Sequence, residues 1–322
     1  MTCQFKIIIL KRKDMKHYLT IALLLCLVSL QGCSQKAKQS ENQVQTQSQN
    51  DELIYHYPLG NTEVVLLSDG QNTGDPSVLV GASEEIVKEF VPTGKAGSAF
   101  NIFLLKLNGK NIIVDSGMGY HLVENLAKEG ISPEQVDIIL LTHMHGDHIG
   151  GLMKDGQRVF PNAQLYISEK EVGYWTNKEL QASLPEGQQR GFAGAQAVVE
   201  AYQDHLHLFT PNEVEQMTEL IPGVKSIASY GHTPGHTCYL VENGGQRFFI
   251  WGDLINFPTV QVPHPEIPTR HDIDPVQASI TRAHVLKWLD QQGLTVAGMH
   301  VPYPGIGKLI TTQRGLELEL LK

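Results

Sequence analysis

Cysteine is scarce in this 322-residue chain. Of the four present, Cys3, Cys26 and Cys33 fall in the first 33 residues and only Cys238 lies beyond them. A disulfide-stapled scaffold is therefore excluded as the source of stability. Basic charge is scarce as well, with 25 Lys and Arg against 34 Asp and Glu, a formal charge of −9. That sign opposes nucleic-acid binding, which depends on neutralising phosphates. No Gly-x-Ser-x-Gly elbow supplies an activated serine, and neither a P-loop nor a dinucleotide fingerprint is present. The longest apolar run, Leu19 to Leu30, is too short to span a bilayer comfortably.

That run has another reading. It follows Lys16 and His17 and ends in Leu30-Gln31-Gly32-Cys33. This ending resembles the bacterial lipobox, whose cysteine is lipidated and becomes the first mature residue. Residues 1–33 are expected to be a lipoprotein signal peptide, with Cys33 the lipidation site. Met15 begins a segment of normal signal-peptide shape and is the expected start of translation. Residues 34–52 are polar and Gln-rich, the composition of a flexible tether. Five of the 25 basic and one of the 34 acidic residues lie in the first 33, leaving 20 against 33, or −13, in the remainder. The expected location is the cell envelope on the periplasmic side, with the membrane reached only through a lipid.

Residues 53–322 read as one α/β domain. Short β-type runs alternate with helical stretches. Phe100–Leu107 and Ile112–Gly117 form a hairpin through Asn108-Gly109. A helix is expected over Tyr120–Glu129, and a buried strand over 136–141. Another strand follows at Gln164–Ser168, then a helix carrying Trp175. The stretch from Gln181 to Gln203, polar, then Gly-rich, then helical, is expected to be a substrate-facing insertion. Strands at 224–229, 238–241 and 247–251, a helix at 275–291 and a strand at 294–298 repeat the pattern.

Directly after the strand at 136–141 stands Thr142-His143-Met144-His145-Gly146-Asp147-His148. Neutral imidazoles and carboxylates are the usual donors for zinc and similar divalent ions. His143 and His145, two apart on an extended strand end, face one side and can grip one ion. Asp147 and His148 follow in a turn that Gly146 frees, where they can serve a second. This cluster resembles the signature of metallo-β-lactamase-fold hydrolases. Three further segments recur in order: Gly231-His232-Thr233-Pro234-Gly235-His236, Gly252-Asp253 and Gly298-Met299-His300. The resemblance covers residues 60–310 and implies an αββα sandwich with two divalent ions, zinc first among them, at one edge. It implies His143, His145 and His236 for the first ion, Asp147, His148 and His300 for the second, and Asp253 between them. Asp147 and Asp253 take the catalytic roles. His232 is expected to orient its loop, Cys238 to pack as a small buried hydrophobe, and His264 and His271 to meet substrate or solvent.

Within that superfamily the segments 264–283 and 298–307 look most like the methyl parathion hydrolase and lactonase group. By that likeness Trp175 and Phe192 line the substrate pocket, and the substrate is a small ester, lactone or phosphotriester rather than a nucleic acid. A homodimer fits the family's habit. The alternatives are a thioesterase or β-lactamase of the same fold, or a metal-stabilised binding lipoprotein without turnover. A flavodiiron-type redox centre would want an acid where His145 stands.

Overall fold

The central strands are apolar almost without interruption, the pattern of strands buried on both faces. The computed structural model describes residues 53–322, and there the pattern builds two seven-stranded sheets. The first runs β1 (Ile54–Leu59), β2 (Thr62–Gly74), β3 (Ala96–Leu107), β4 (Lys110–Val114) and β5 (Ile138–Leu140). Past a small hairpin of β6 (Met153–Lys154) and β7 (Gln157–Arg158), it continues with β8 (Gln164–Ser168) and β9 (Leu206–Phe209). The second follows chain order: β10 (Thr218–Ile221), β11 (Val224–Ala228), β12 (Thr237–Asn243), β13 (Gln246–Ile250), β14 (Thr295–Ala297), β15 (Ile306–Thr312) and β16 (Gly315–Leu320).

Period-two alternation sends neighbouring residues into different cores. Val64 and Leu66 of β2, with Phe103 and Leu105 of β3, face Tyr239, Val241, Phe248 and Ile250 of the second sheet. Val65, Leu67, Ile102 and Leu104 point the other way, onto the helices Leu122–Lys128, Glu169–Trp175 and Glu186–Tyr202. Cys238, Leu240, Phe249 and Trp251 pack against the helix Pro275–Gln292. The layers are thus helix, sheet, sheet, helix: the αββα sandwich. No helix among the described residues is long and apolar enough to cross a membrane. The expected signal peptide, its Cys33 and the tether lie outside the described residues.

Several local expectations shift. The helix expected from Tyr120 begins at Leu122, because the buried Asp69 carboxylate accepts the N–H groups of Tyr120 and His121 and holds them out of it. The strand expected over 136–141 keeps only Ile138–Leu140. The stretch expected to be a substrate-facing insertion is mostly the 17-residue helix Glu186–Tyr202, whose Phe192, Ala195, Val198 and Tyr202 are buried. The closing hairpin β15–β16 ends the chain on a strand in which Leu316, Leu318 and Leu320 alternate with Glu317 and Glu319.

Parallel pairing sets where the loops emerge. β5 is parallel to β4 and β8, and β13 to β14. The polypeptide leaves β5, β13 and β14 at one rim of the sandwich, the usual place for a site in parallel sheets. Beyond β14, Gly298 lies against the buried Trp251 indole, with no room for a Cβ. Gly298→Ala is expected to destabilise the fold by about 3 kcal/mol. Gly187, with nothing near a Cβ, is the control, and Gly187→Ala should stabilise by about 0.5 kcal/mol. Urea midpoints at unchanged slope measure both.

Candidate metal centre

Each of three strand ends delivers a donor three residues on: His143 after β5, Asp253 after β13 and His300 after β14. His145 caps the short helix Gly146–Ile149, which carries Asp147 and His148. His232 comes from the loop between β11 and β12. Met144, between the first two histidines, points away into the core, so His143 and His145 share the side the sequence predicts.

Two groups of donors form around Asp253. In the first, His145 Nδ1 lies 3.0 Å from His143 Nε2 and 3.0 Å from His232 Nε2. A tetrahedral zinc with nitrogen bonds of about 2.0–2.1 Å would set them roughly 3.3 Å apart, so the trio fits one face of such a site. In the second group, His300 Nε2 lies 3.4 Å from Asp147 Oδ2, and His148 Nε2 lies 3.7 Å from the same oxygen. Asp253 stands between the groups. Its Oδ1 is 3.3 Å from His148 Nε2, and its Oδ2 is 3.3 Å from His232 Nε2 and 3.0 Å from His300 Nε2. His148 Nε2 and Asp253 Oδ1 are buried without a hydrogen-bond partner. Buried polar atoms are normally satisfied, and a cation between them supplies what is missing. The donor set fits two divalent ions.

Electrostatics within the cluster separates the two groups. Burial, reinforced by neighbouring imidazoles, holds His143 well below the ordinary histidine range and His145 down at about 3. Both are neutral at pH 7, with lone pairs free to coordinate. Burial disfavours the charged forms of His300 and His148, but Asp253 and the other nearby carboxylates outweigh it. His300 is raised to about 9 and His148 well above its usual value. Burial pushes Asp253 upward, and His300 and His148 overcome this to hold it far below the carboxylate range. Protons on His148 and His300 thus balance charge where an ion would displace them.

An outer ring of acids, none singled out by sequence, fixes the rings. Asp115 Oδ2 is 2.7 Å from His148 Nδ1, and the same carboxylate accepts Thr142 N–H and Oγ1–H. Asp115 adopts φ 60°, the left-handed region, a strain found where structure serves a site. Asp272 Oδ1 is 2.9 Å from His232 Nδ1. Asp272 is itself held by Arg282, a buried guanidinium that also donates to the carbonyls of Leu254, Pro265 and Ile267. His300 Nδ1 donates to the Ala99 carbonyl. Each contact occupies the far nitrogen and turns the near one to the centre.

The expectation for His236 is overturned. Its Nε2 accepts the Asp253 N–H at 2.9 Å, and its Nδ1 is 2.7 Å from Ser229 Oγ. Both nitrogens are occupied, leaving none for an ion. His232, expected only to orient the loop, takes that place. Trp175 and Phe192 are 5% and 1% exposed and belong to the core. Rather than lining a substrate pocket, Phe192 backs Trp175, whose ring packs edge-on to His145 at 5.6 Å. Cys238 is fully buried, its thiol pushed up to about 12 by burial, as expected of a packed hydrophobe. His264 pairs with Glu266 and meets the edge of Phe90. His271, lowered first by burial and then by the charge of His232, stands closer to the centre.

The two loop histidines can be told apart directly. His232→Ala is expected to lower bound metal from two equivalents to one. His236→Gln should retain two at saturating metal and instead lose about 1–3 kcal/mol of stability, from buried donors left unpaired. Elemental analysis after gel filtration reads the first and urea unfolding the second. Full loading of His232→Ala would contradict the assignment.

Known proteins share this fold. The crystal structure of hydrolase AbOPH in the beta lactamase superfamily superposes with a TM-score of 0.75 at 30% identity, covering 84% of this chain and 97% of that one. AidC, a dizinc quorum-quenching lactonase solved in complex with a product, matches with a TM-score of 0.75 at 27% identity and the same coverages. Among curated relatives, Ribonuclease TTHA0252 of Thermus thermophilus is 32% identical over 194 residues, 57% of this chain. That match takes in 42% of the ribonuclease, so the chain spans less than half the length of this relative. The profile of the metallo-beta-lactamase superfamily matches residues 99–302, a stretch running from the strand that supports His300 to just beyond His300 itself. With fold, donor order and profile in accord, the chain belongs to the metallo-beta-lactamase superfamily and is a metal-dependent hydrolase.

Proposed function

We propose that this hydrolase acts on small esters of the lactone or phosphotriester class with two ions, zinc first among them, bound on either side of Asp253. The observation that carries the proposal is the shared carboxylate. Asp253 lies within 3.3 Å of His148, His232 and His300 at once, and its Oδ1 has no other partner. When bound, a pair of divalent ions supplies a nucleophile at neutral pH and stabilises charge developing on the substrate. The chain's own residues do the rest. His143, His145 and His232 would hold one ion and Asp147, His148 and His300 the other. Asp147, with 26% of its side chain exposed, borders the open side and is placed to accept a proton from the attacking water. The same carboxylate can return that proton to the leaving alkoxide. The buried Cys238 offers no competing nucleophile, since its thiol stays protonated at neutral pH. The likeness to AidC, a lactonase, supports a lactone, and the likeness to the hydrolase AbOPH supports hydrolysis.

The ribonuclease likeness raises a nucleic-acid substrate as a second reading, and the net charge of −9 argues against it. A panel of acyl-homoserine lactones, aryl esters, p-nitrophenyl phosphotriesters, nitrocefin and single-stranded RNA separates the two. Turnover of a lactone, ester or phosphotriester is expected, lost on chelation and restored by zinc. Asp253→Ala should cost about a thousandfold or more in kcat/KM, roughly 4 kcal/mol of transition-state stabilisation. Cleavage of RNA alone would overturn the proposal.

A further inference from the structure

Glu171 is a buried carboxylate that belongs to neither donor group. It lies on the helix Glu169–Trp175 and is 0% exposed. Among the described residues no Lys, Arg or His pairs with it in a salt bridge. Instead it accepts four hydrogen bonds. Oε1 takes the Met144 N–H at 3.0 Å and the Trp175 Nε1–H at 2.6 Å. Oε2 takes the Thr233 hydroxyl at 2.7 Å and the Gly235 N–H at 2.9 Å.

The chain positions of those donors give the arrangement its meaning. Met144 sits between His143 and His145. Thr233 and Gly235 follow His232 directly. Trp175 is the ring that packs against His145. One side chain thus grips both segments that supply the first donor group and the aromatic wall behind it. Among the described residues, none of its hydrogen bonds goes to Asp147, His148 or His300. Gly235 lies so close to the Glu171 backbone that a Cβ there would clash with it, and the two segments cannot slide independently.

We propose that Glu171 is a positioning residue that sets the spacing of His143, His145 and His232, and with it the metal affinity of the first site relative to the second. The proposal rests on the two-metal reading above. An isolated buried carboxylate is costly, and four donors offset that cost only while both loops are in place.

The test uses Glu171→Gln in the full chain. An amide keeps the size but turns an NH2 toward a pair of donors, leaving hydrogen-bonding groups in conflict on one side. Cobalt and zinc affinities are measured by chelator competition. The cobalt spectra of His232→Ala and His300→Ala identify which site fills. First-site affinity is expected to fall by about 10- to 100-fold, with the second site within about threefold of wild type. If the variant fails to fold by circular dichroism, Trp175→Phe and Thr233→Val each remove one donor. Each should weaken the first site by about threefold to tenfold. Wild-type affinity at the first site, or equal weakening at both, would overturn the proposal. Failure of the wild-type protein to take up two ions would instead overturn the two-metal reading, and that control is run first.

Discussion

The carboxylate of Asp253 is the junction on which the site depends. It lies within 3.3 Å of imidazole nitrogens from both groups, and it follows a strand of the second sheet, facing loops from the first. Its backbone is pinned by the His236 ring, and its Oδ2 also receives the Asn256 amide. Gly252 makes this approach possible. It has φ 57°, and a Cβ there would stand 2.6 Å from His236 Nε2. A histidine that binds no ion therefore still shapes the centre, by fixing the residue that the two groups share.

Around this junction the charges are layered. The inner ring is a cluster of imidazoles and two acids whose near atoms lack protein partners or face each other. The outer ring of Asp115, Asp272 and the Ala99 carbonyl occupies the opposite edges of the rings. Arg282 then anchors Asp272 and the carbonyl next to Asp253. The rigid sheets hold the inner ring, and the long-range hydrogen bonds of the outer ring set its orientation. The hydrolytic chemistry follows from loops placed on a scaffold, which is how one fold serves many substrates.

Much of this was legible in the sequence, for identifiable reasons. The cluster at 143–148 is dense, and β5, β13 and β14 are apolar runs that end just before a donor. The alternation of strands and helices indicated one α/β domain, and the sandwich was what the family resemblance of these segments implied. The error at His236 arose because two histidines four apart share one loop, and only their hydrogen-bonding distinguishes them. Trp175 and Phe192 misled because an aromatic beside a metal loop looks the same whether it meets substrate or core. Asp115, Asp272, Arg282 and Glu171 were nearly silent, since each is an isolated charged residue that the fold joins to a partner 10 to 62 positions away. Only Asp115, directly after an apolar strand and before Gly117, carried a weak local signal.

Anomalous scattering from crystals grown with zinc tests the central claim most directly. Two peaks are predicted, one bonded to His143 Nε2, His145 Nδ1 and His232 Nε2 and the other to Asp147, His148 and His300. Asp253 should bridge them, with His236 uncoordinated. A single peak, or an ion bound by His236 in place of His232, would contradict the account.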